Sequence, residues 1–354
     1  MLILYYKLAK LNVKIRLKYC IILNIEKRGM IDLTKLETGQ YFEIKMLSIG
    51  GLGAYTTGQM LGMEISKISS LKTSVFASYS SEKKGAPVNV FLRVVKQDKP
   101  IRNYGAVTKP NFLVAFKEAL LNDQKNLKGL NEDSIILINS DKSIEELQQL
   151  YKLNTKNIFV VDADSIGIKH NVKTNTIMFG AIHKVLSYLD PCISKQTISD
   201  KLSFRYGHLV EANINAFFDG FEQCQYYDIT PQNLDEEAHQ VLGIEDQLPG
   251  GYIIGTNSFL VDRSIGREGF KPKFDQSTCI NCTKCDLTCP DDCFIWEEVE
   301  GRRGRMEMQL VGIDYQYCKG CMRCVTVCPT GSLTKVNEHE ETVSVKKGYQ
   351  LMED

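Results

Sequence analysis

Two observations on this 354-residue chain predict its fold class. Apolar strands alternate with helical stretches across residues 41–222, which predicts an α/β domain, a Rossmann-like sheet with flanking helices. Further on, one four-cysteine run occurs twice, which predicts a separate small α+β module over residues 274–338. Such a module is held by metal, since it can hardly build a core of its own. An N-terminal extension (1–40), a connector (223–273) and a charged tail (339–354) complete the expected organisation.

The first element is a strand from Tyr41, followed by a turn at Gly50, Gly51 and Gly53 and then a helix, the opening of a βαβ unit. As a dinucleotide fingerprint the turn is incomplete. Gly51-x-Gly53-x-x-Thr56 lacks the third glycine, and no acidic residue closes a second strand further on. Either a phosphate held at the helix N-terminus or a tight turn that lets helix pack on sheet accounts for it. Further strands are expected at Val88–Val95, Phe112–Phe116, Ser134–Asn139 and Asn157–Val161. Between them Asp141–Tyr151 carries Ile144, Leu147 and Leu150 at helical spacing. Helices at Thr176–Leu189, with Asn175 placed as its N-cap, and at Leu209–Phe221 close the domain. The connector loses periodicity and gains turns around Pro231, Pro249-Gly250-Gly251 and Gly266–Gly269. Within the module, Trp296–Asp314 alternates apolar and charged residues around GRRGR, the pattern of a β-hairpin.

The chemistry is carried by the cysteines. Cys279, Cys282, Cys285 and Cys289-Pro290 read C-x2-C-x2-C-x3-C-P, and Cys318, Cys321, Cys324 and Cys328-Pro329 repeat it. Three thiolates in one tight loop can wrap three corners of a [4Fe-4S] cubane, and in this bacterial two-cluster pattern the fourth comes from the other run. The pattern assigns Cys279, Cys282, Cys285 and Cys328 to one cluster, and Cys318, Cys321, Cys324 and Cys289 to the second. Zinc sites space cysteines as separated pairs, and disulfides belong to oxidising compartments, so neither fits. Cys293, just beyond the first run, is read as a buried small apolar side chain and stays outside the ligand set.

Composition excludes some classes. With 43 basic against 43 acidic side chains there is no net charge to argue for nucleic acid. No apolar run approaches a membrane span, and reduced thiols place the chain in the cytoplasm. The first 29 residues hold seven basic residues (Lys7, Lys10, Lys14, Arg16, Lys18, Lys27, Arg28) against Glu26 alone, so the rest is mildly acidic. An amphipathic or targeting segment is one reading of that stretch. The preferred one is upstream sequence ahead of a native start at Met30. No catalytic or organic-cofactor residue is assigned: the histidines (His170, His183, His208, His239, His339) are dispersed, and no nucleophile is paired with a base.

The order of elements resembles the gamma and delta subunits of 2-oxoacid:ferredoxin oxidoreductases, of the pyruvate:ferredoxin oxidoreductase type, fused in one chain. The gamma-like residues are Gly50-Gly51-Leu52-Gly53, the run from Ser78 to Val88, Asn175–Ala181 and Glu211–Phe217. The delta-like residues are Phe274-Asp275, the two cysteine runs, and Asp314-Tyr315 ahead of Tyr317-Cys318-Lys319-Gly320-Cys321. Together they cover residues 41–338. The chain departs from the family where Leu52 replaces glutamine, and where Tyr79-Ser80-Ser81-Glu82 replaces a Tyr-Gly-Pro-Glu run.

The resemblance implies an electron-transfer subunit, inactive alone, in a complex that oxidatively decarboxylates a 2-oxoacid, pyruvate first, and passes the acyl group to CoA. Thiamine diphosphate, magnesium and a further cluster then belong to alpha-like and beta-like partner subunits. This chain carries no Gly-Asp-Gly with a downstream Asn; Asp219-Gly220 follows Phe218 on an expected helix. Ferredoxin or flavodoxin is the implied external acceptor. Two rival readings are a flavin or nicotinamide oxidoreductase fused to a ferredoxin, and a non-catalytic scaffold stapled by its clusters.

Overall fold

A computed structural model describes residues 29–338, except 69, 80–84, 97–99, 187, 188, 190, 235–248, 252–261, 268 and 301–303, and except the side chains at 191, 192, 204, 205 and 251. The readings placed on residues 1–28, on Ser80–Lys84, on the centre of the GRRGR turn and on the tail lie outside the described residues. These fall into two compact units, one within Met1–Ser80 and Pro87–Leu234, the other within Ser81–Ala86 and Asp235–Asp354.

The first unit runs β1 (Phe42–Ile49), α1 (Ala54–Ser66), β2 (Leu71–Tyr79), β3 (Pro87–Lys96), β4 (Phe112–Ala115), β5 (Ile135–Asn139), α2 (Ile144–Leu150), β6 (Asn157–Val161), α3 (Ala163–His170), α4 (Thr174–Val185), α5 (Pro191–Tyr206), α6 (Val210–Gln223) and β7 (Gln225–Asp228). Its sheet has the order β2-β3-β1-β4-β5-β6-β7. The central strands β1, β4, β5 and β6 are parallel. Every residue of β4, β5 and β6 is buried, which is why these segments are unbroken apolar runs instead of alternating ones. Antiparallel strands flank this centre, β3 and β2 on one side and β7 on the other, so the sheet is mixed. β2 and β7 escaped the sequence reading because their residues are mostly half-buried or exposed and carry no clean apolar alternation.

Local chemistry sets the helix boundaries. Ser143 and Glu146 form a reciprocal capping box at the start of α2. Asp162 accepts from the Ser165 N–H at 2.9 Å to cap α3. Asn175 does not cap α4: the cap residue is Lys173, with no side-chain cap bond, and Asn175 lies inside the first turn. It packs instead against the glycine turn after β1, where a Cβ on Gly53 would stand 3.0 Å from its Cβ. Its carbonyl accepts from Thr57 Oγ1 at 2.9 Å, and Lys173 Nζ donates to the Gly51 carbonyl at 2.9 Å. Gly53 also takes φ 83°, so both the backbone of the turn and its packing call for glycine there.

Helices α4 and α6 meet backbone to backbone. A Cβ on Gly180 would run into the Phe217 carbonyl, and one on Gly220 into the Ile177 carbonyl. Each helix spends a glycine, at a propensity cost of about 1 kcal/mol, to let the other approach. Beside this contact His183 Nδ1 donates to the Phe179 carbonyl at 2.8 Å, while Nε2 faces Glu64 Oε2 at 2.6 Å and Ser194 Oγ at 2.8 Å. No local pattern marks this cluster, since Glu64 and His183 are 119 residues apart. With Ser194 at 0% exposure it is closed to substrate and ties α1, α4 and α5 together.

The second unit holds β8 (Phe270–Phe274), α7 (Lys284–Thr288), β9 (Phe294–Glu300), β10 (Met306–Ile313), α8 (Arg323–Val327) and β11 (Leu333–Asn337). β9 and β10 form the expected antiparallel hairpin, with a bulge between Leu310 and Gly312. β8 pairs with β11, so the two ends of the module lie side by side. Among the described residues no helix is long and apolar enough to cross a membrane. Gly180→Ala is expected to destabilise the first unit by about 1–3 kcal/mol, since the clash is with backbone that cannot rotate away. A lower denaturant midpoint with unchanged slope in the unfolding curve of the full chain is the measurement.

Candidate iron-sulfur centre

Both cysteine loops reverse direction by the same device. Asn281 (φ 53°) and Thr283 (φ 60°) in the first, and Gly320 (φ 65°) and Met322 (φ 58°) in the second, all sit in the left-handed region. For the non-glycine residues this costs about 1–2 kcal/mol each, more readily met by Asn than by Thr or Met. Thr283 and Met322 stand at the N-termini of α7 and α8, so the third cysteine of each run (Cys285, Cys324) rides on a short helix turned back over the loop. Gly320 is required for a second reason: a Cβ there would lie 2.7 Å from the Phe270 carbonyl. At the matching position Asn281 uses its side chain, whose Oδ1 accepts from the Leu310 N–H at 3.1 Å and fastens the loop to β10.

The loops enclose two concavities of near-equal size, about 330 and 350 Å³ with the space open to solvent included. Cys279, Cys282, Cys285 and Cys328 line the first; Cys289, Cys318, Cys321 and Cys324 line the second. Each therefore gathers three thiols from one run and one from the other. Among the described residues no group of three or more His, Cys, Asp or Glu is gathered tightly enough for a single metal ion. Four thiols spread around a space suit a polynuclear group better than a tetrahedral zinc.

Donors aimed at sulfur fit an anionic cluster. Asn281 N–H donates to Cys279 Sγ at 3.4 Å and Cys293 N–H to Cys289 Sγ at 3.5 Å. Burial tends to raise the Cys328 thiol, but donation from the Thr330 side chain and from the backbone of Leu333, Thr330 and Ser332 outweighs it and lowers it. Burial pushes Cys285 up to about 11 and Cys324 up to about 12, values that binding to iron would have to overcome. Trp296 Nε1, beside the first cavity, is buried without a hydrogen-bond partner. A sulfur acceptor in that cavity is what this donor lacks. Around the loops Cys293, Phe294, Leu310, Ile313, Tyr315 and Leu333 form the buried cluster that keeps water away.

The second cavity differs from the first in charge. Asp291 and Lys319 lie on its wall and pair at 3.0 Å, and Arg323 lies there too, while the first cavity has no charged residue in its lining. Arg267 Nε donates to the Cys318 carbonyl at 2.9 Å, its other nitrogens reach Glu338 and the Tyr315 carbonyl, and its guanidinium stands 5.5 Å from the Tyr315 ring centroid. Cys293 also lines this cavity, 3% exposed, with its backbone N–H donating to Cys289 Sγ. The neighbouring Cys293 side chain is the main cause lowering Cys289 to about 6 and Cys318 to about 7, and these two neighbours drive Cys293 itself far above the ordinary thiol range. Cys293, Trp296 and Arg267 were missed as site residues. The repeat gave no signal for Cys293, since the matching position after Cys328 holds Ser332.

Comparison with known proteins agrees with this architecture. Residues 43–223 match the family described as pyruvate ferredoxin/flavodoxin oxidoreductase, and residues 273–335 match the 4Fe-4S dicluster domain. The chain belongs to the pyruvate ferredoxin/flavodoxin oxidoreductase family. It is similar to the Pyrococcus abyssi pyruvate/ketoisovalerate oxidoreductases common subunit gamma, 31% identical over 189 residues, covering 53% of this chain and 99% of that one. It is also similar to Thermotoga maritima pyruvate synthase subunit PorC, 31% identical over 193 residues, 52% of this chain and 96% of that one. The cysteine-rich segment is similar to Methanocaldococcus jannaschii pyruvate synthase subunit PorD, 37% identical over 71 residues, 20% of this chain and 72% of that one. The protein is thus a gamma-type, electron-transfer subunit of a 2-oxoacid:ferredoxin oxidoreductase, with a 4Fe-4S-type module in the same chain.

Replacing Arg267 with alanine strips two buried carbonyls and Glu338 of their partner, a loss of about 3–5 kcal/mol. The expected outcome is iron release from the anaerobically purified chain at a lower temperature than from the parent, followed by loss of visible absorbance.

Proposed function

We propose that the chain holds two [4Fe-4S] clusters, one on Cys279, Cys282, Cys285 and Cys328 and the other on Cys318, Cys321, Cys324 and Cys289, and carries electrons out of a 2-oxoacid-oxidising complex. The observation that supports this most directly is the division of eight thiols between two cavities, each drawing on both runs. Bound there, such clusters supply one-electron storage at low potential. The chain's own part is to bind them, exclude water with the cluster around Phe294, Leu310 and Tyr315, and direct N–H donors to the sulfurs.

In this reading the electrons originate on alpha-like and beta-like partner subunits. There thiamine diphosphate, magnesium and a further cluster serve the CoA-linked oxidative decarboxylation of a 2-oxoacid. Pyruvate is the first choice because pyruvate stands in the names of the Pyrococcus, Thermotoga and Methanocaldococcus relatives. The acceptor is an external ferredoxin or flavodoxin, and the setting is the cytoplasm. Residues 274–338 form the electron-carrying module and residues 41–222 the gamma-like domain that belongs with the partner subunits.

Anaerobic purification should yield about eight irons and eight acid-labile sulfides per chain. Cys282→Ser should perturb one cluster's spectrum and Cys321→Ser the other's; stoichiometric zinc in place of iron would overturn the assignment. In the assembled complex, deletion of residues 274–354 should leave the first oxidation step on the partners intact while ferredoxin reduction collapses. Ferredoxin reduction at the full rate in that complex would reduce the module to a structural staple.

A further inference from the structure

We infer that Cys293 is a spare ligand of the second cluster, able to take the corner that Cys289 holds. The inference rests on the two-cluster reading and goes beyond it. Four corners need four thiols, yet five thiols line the second cavity: Cys289, Cys318, Cys321, Cys324 and Cys293. The fifth is no bystander in the packing. It lines the cavity between Cys289 and Cys318, which come from different runs, and its backbone N–H donates to Cys289 Sγ at 3.5 Å. Its own carbonyl accepts from the Asp314 N–H at 2.7 Å, which fixes the start of β9 against the end of β10 and holds the residue in place.

The repeat supplies an internal control. Cys293 follows Cys289 as Ser332 follows Cys328, and Ser332 lines the first cavity as Cys293 lines the second. Ser332 is 2% exposed, and its hydroxyl is engaged by Thr330 Oγ1 at 2.6 Å and Thr278 Oγ1 at 3.0 Å. A hydroxyl already held in that network, and far less acidic than a thiol, is a poor substitute ligand for iron. One site thus has four thiols and the other five. When Cys293 replaces Cys289, an iron–sulfur bond forms at Cys293 as the one at Cys289 breaks; the Cys293 thiol gives up its proton, the released Cys289 thiolate takes one up, and no electron is transferred.

The test uses the full chain, purified anaerobically, with iron and sulfide content and the low-temperature EPR of the reduced protein as readouts. Cys328→Ala should lose about half the iron, because its site has no fifth thiol. Cys289→Ala should keep nearly the full complement, with altered g-values for one cluster. Cys289→Ala with Cys293→Ala should fall to about half. Loss of half the iron in Cys289→Ala alone overturns the inference while leaving the two-cluster reading in place; a parent chain without iron overturns both. Should Cys289→Ala fail to fold, the spare thiol can be moved to the other site. Ser332→Cys in the Cys328→Ala background should restore the lost cluster, and no recovery there counts against the inference.

Discussion

The pairing of β8 with β11 is the constraint on which the cysteine-rich module depends. Phe274 faces Leu333 across it, and from that register the Asp275 N–H donates to the Ser332 carbonyl at 2.8 Å. Cys328 and Pro329 are thereby returned to the wall of the cavity built by the first loop, about fifty residues earlier in sequence. The opposite corner is set by the β9–β10 hairpin and the Asp314–Cys293 bond, which return the second loop to Cys289. Two short antiparallel pairs therefore do for this module what a large apolar core does for the first unit. A pair of strands is marginal alone. The thiols lining each cavity come from both halves, so a metal group bound there would tie each pair to the other and couple its binding to folding.

The first unit solves a different problem with ordinary means. Its parallel centre is buried on both faces, and the helices that cover it are tied by polar groups only where those groups find partners. Arg93, 1% exposed, is an instance. It meets Glu43 at 2.7 Å and donates to the carbonyls of Asn103, Gly105 and Ala106, so a loop without regular structure is held by one guanidinium. The Glu64–His183–Ser194 cluster works in the same way among helices. Removing one partner from such a group costs far more than the group contributes when intact.

What was legible in the sequence follows from how local each signal is. The central strands could be read because burial on both faces writes itself as an apolar run, and the cysteine loops because cysteines repeated at that fixed spacing have few other uses. α2 was legible for a related reason, since Ser143 and Glu146 carry both its period and its cap in one short stretch. The misses are elements whose character comes from distant partners. β7 is strand because β6 is beside it, β8 because β11 is, and Asn175 leaves the cap position because Gly53 and Thr57 lie against it. Cys293 is the instructive case. Alone in the sequence it is one small apolar residue among many, and only the fold shows that it shares a cavity with four other thiols.

The two halves of the module are copies in backbone and differ in what they place at matched positions. Asn281 stands opposite Gly320, Thr283 opposite Met322, and Ser332 opposite Cys293. The backbone device that wraps each loop tolerates these exchanges because it needs left-handed dihedrals and N–H groups, and the side chains are then free to diverge. They have diverged in a consistent sense. Neutral hydroxyls and an indole surround the first cavity, whereas an ion pair, a further arginine and an extra thiol surround the second. A group that gains negative charge on reduction is stabilised by neighbouring cations and sulfur-directed donors, and by little else the protein can offer at short range. Duplicate scaffolds thus carry unlike surroundings, uncharged at the first cavity and charged at the second, so any group held in the two would meet different fields.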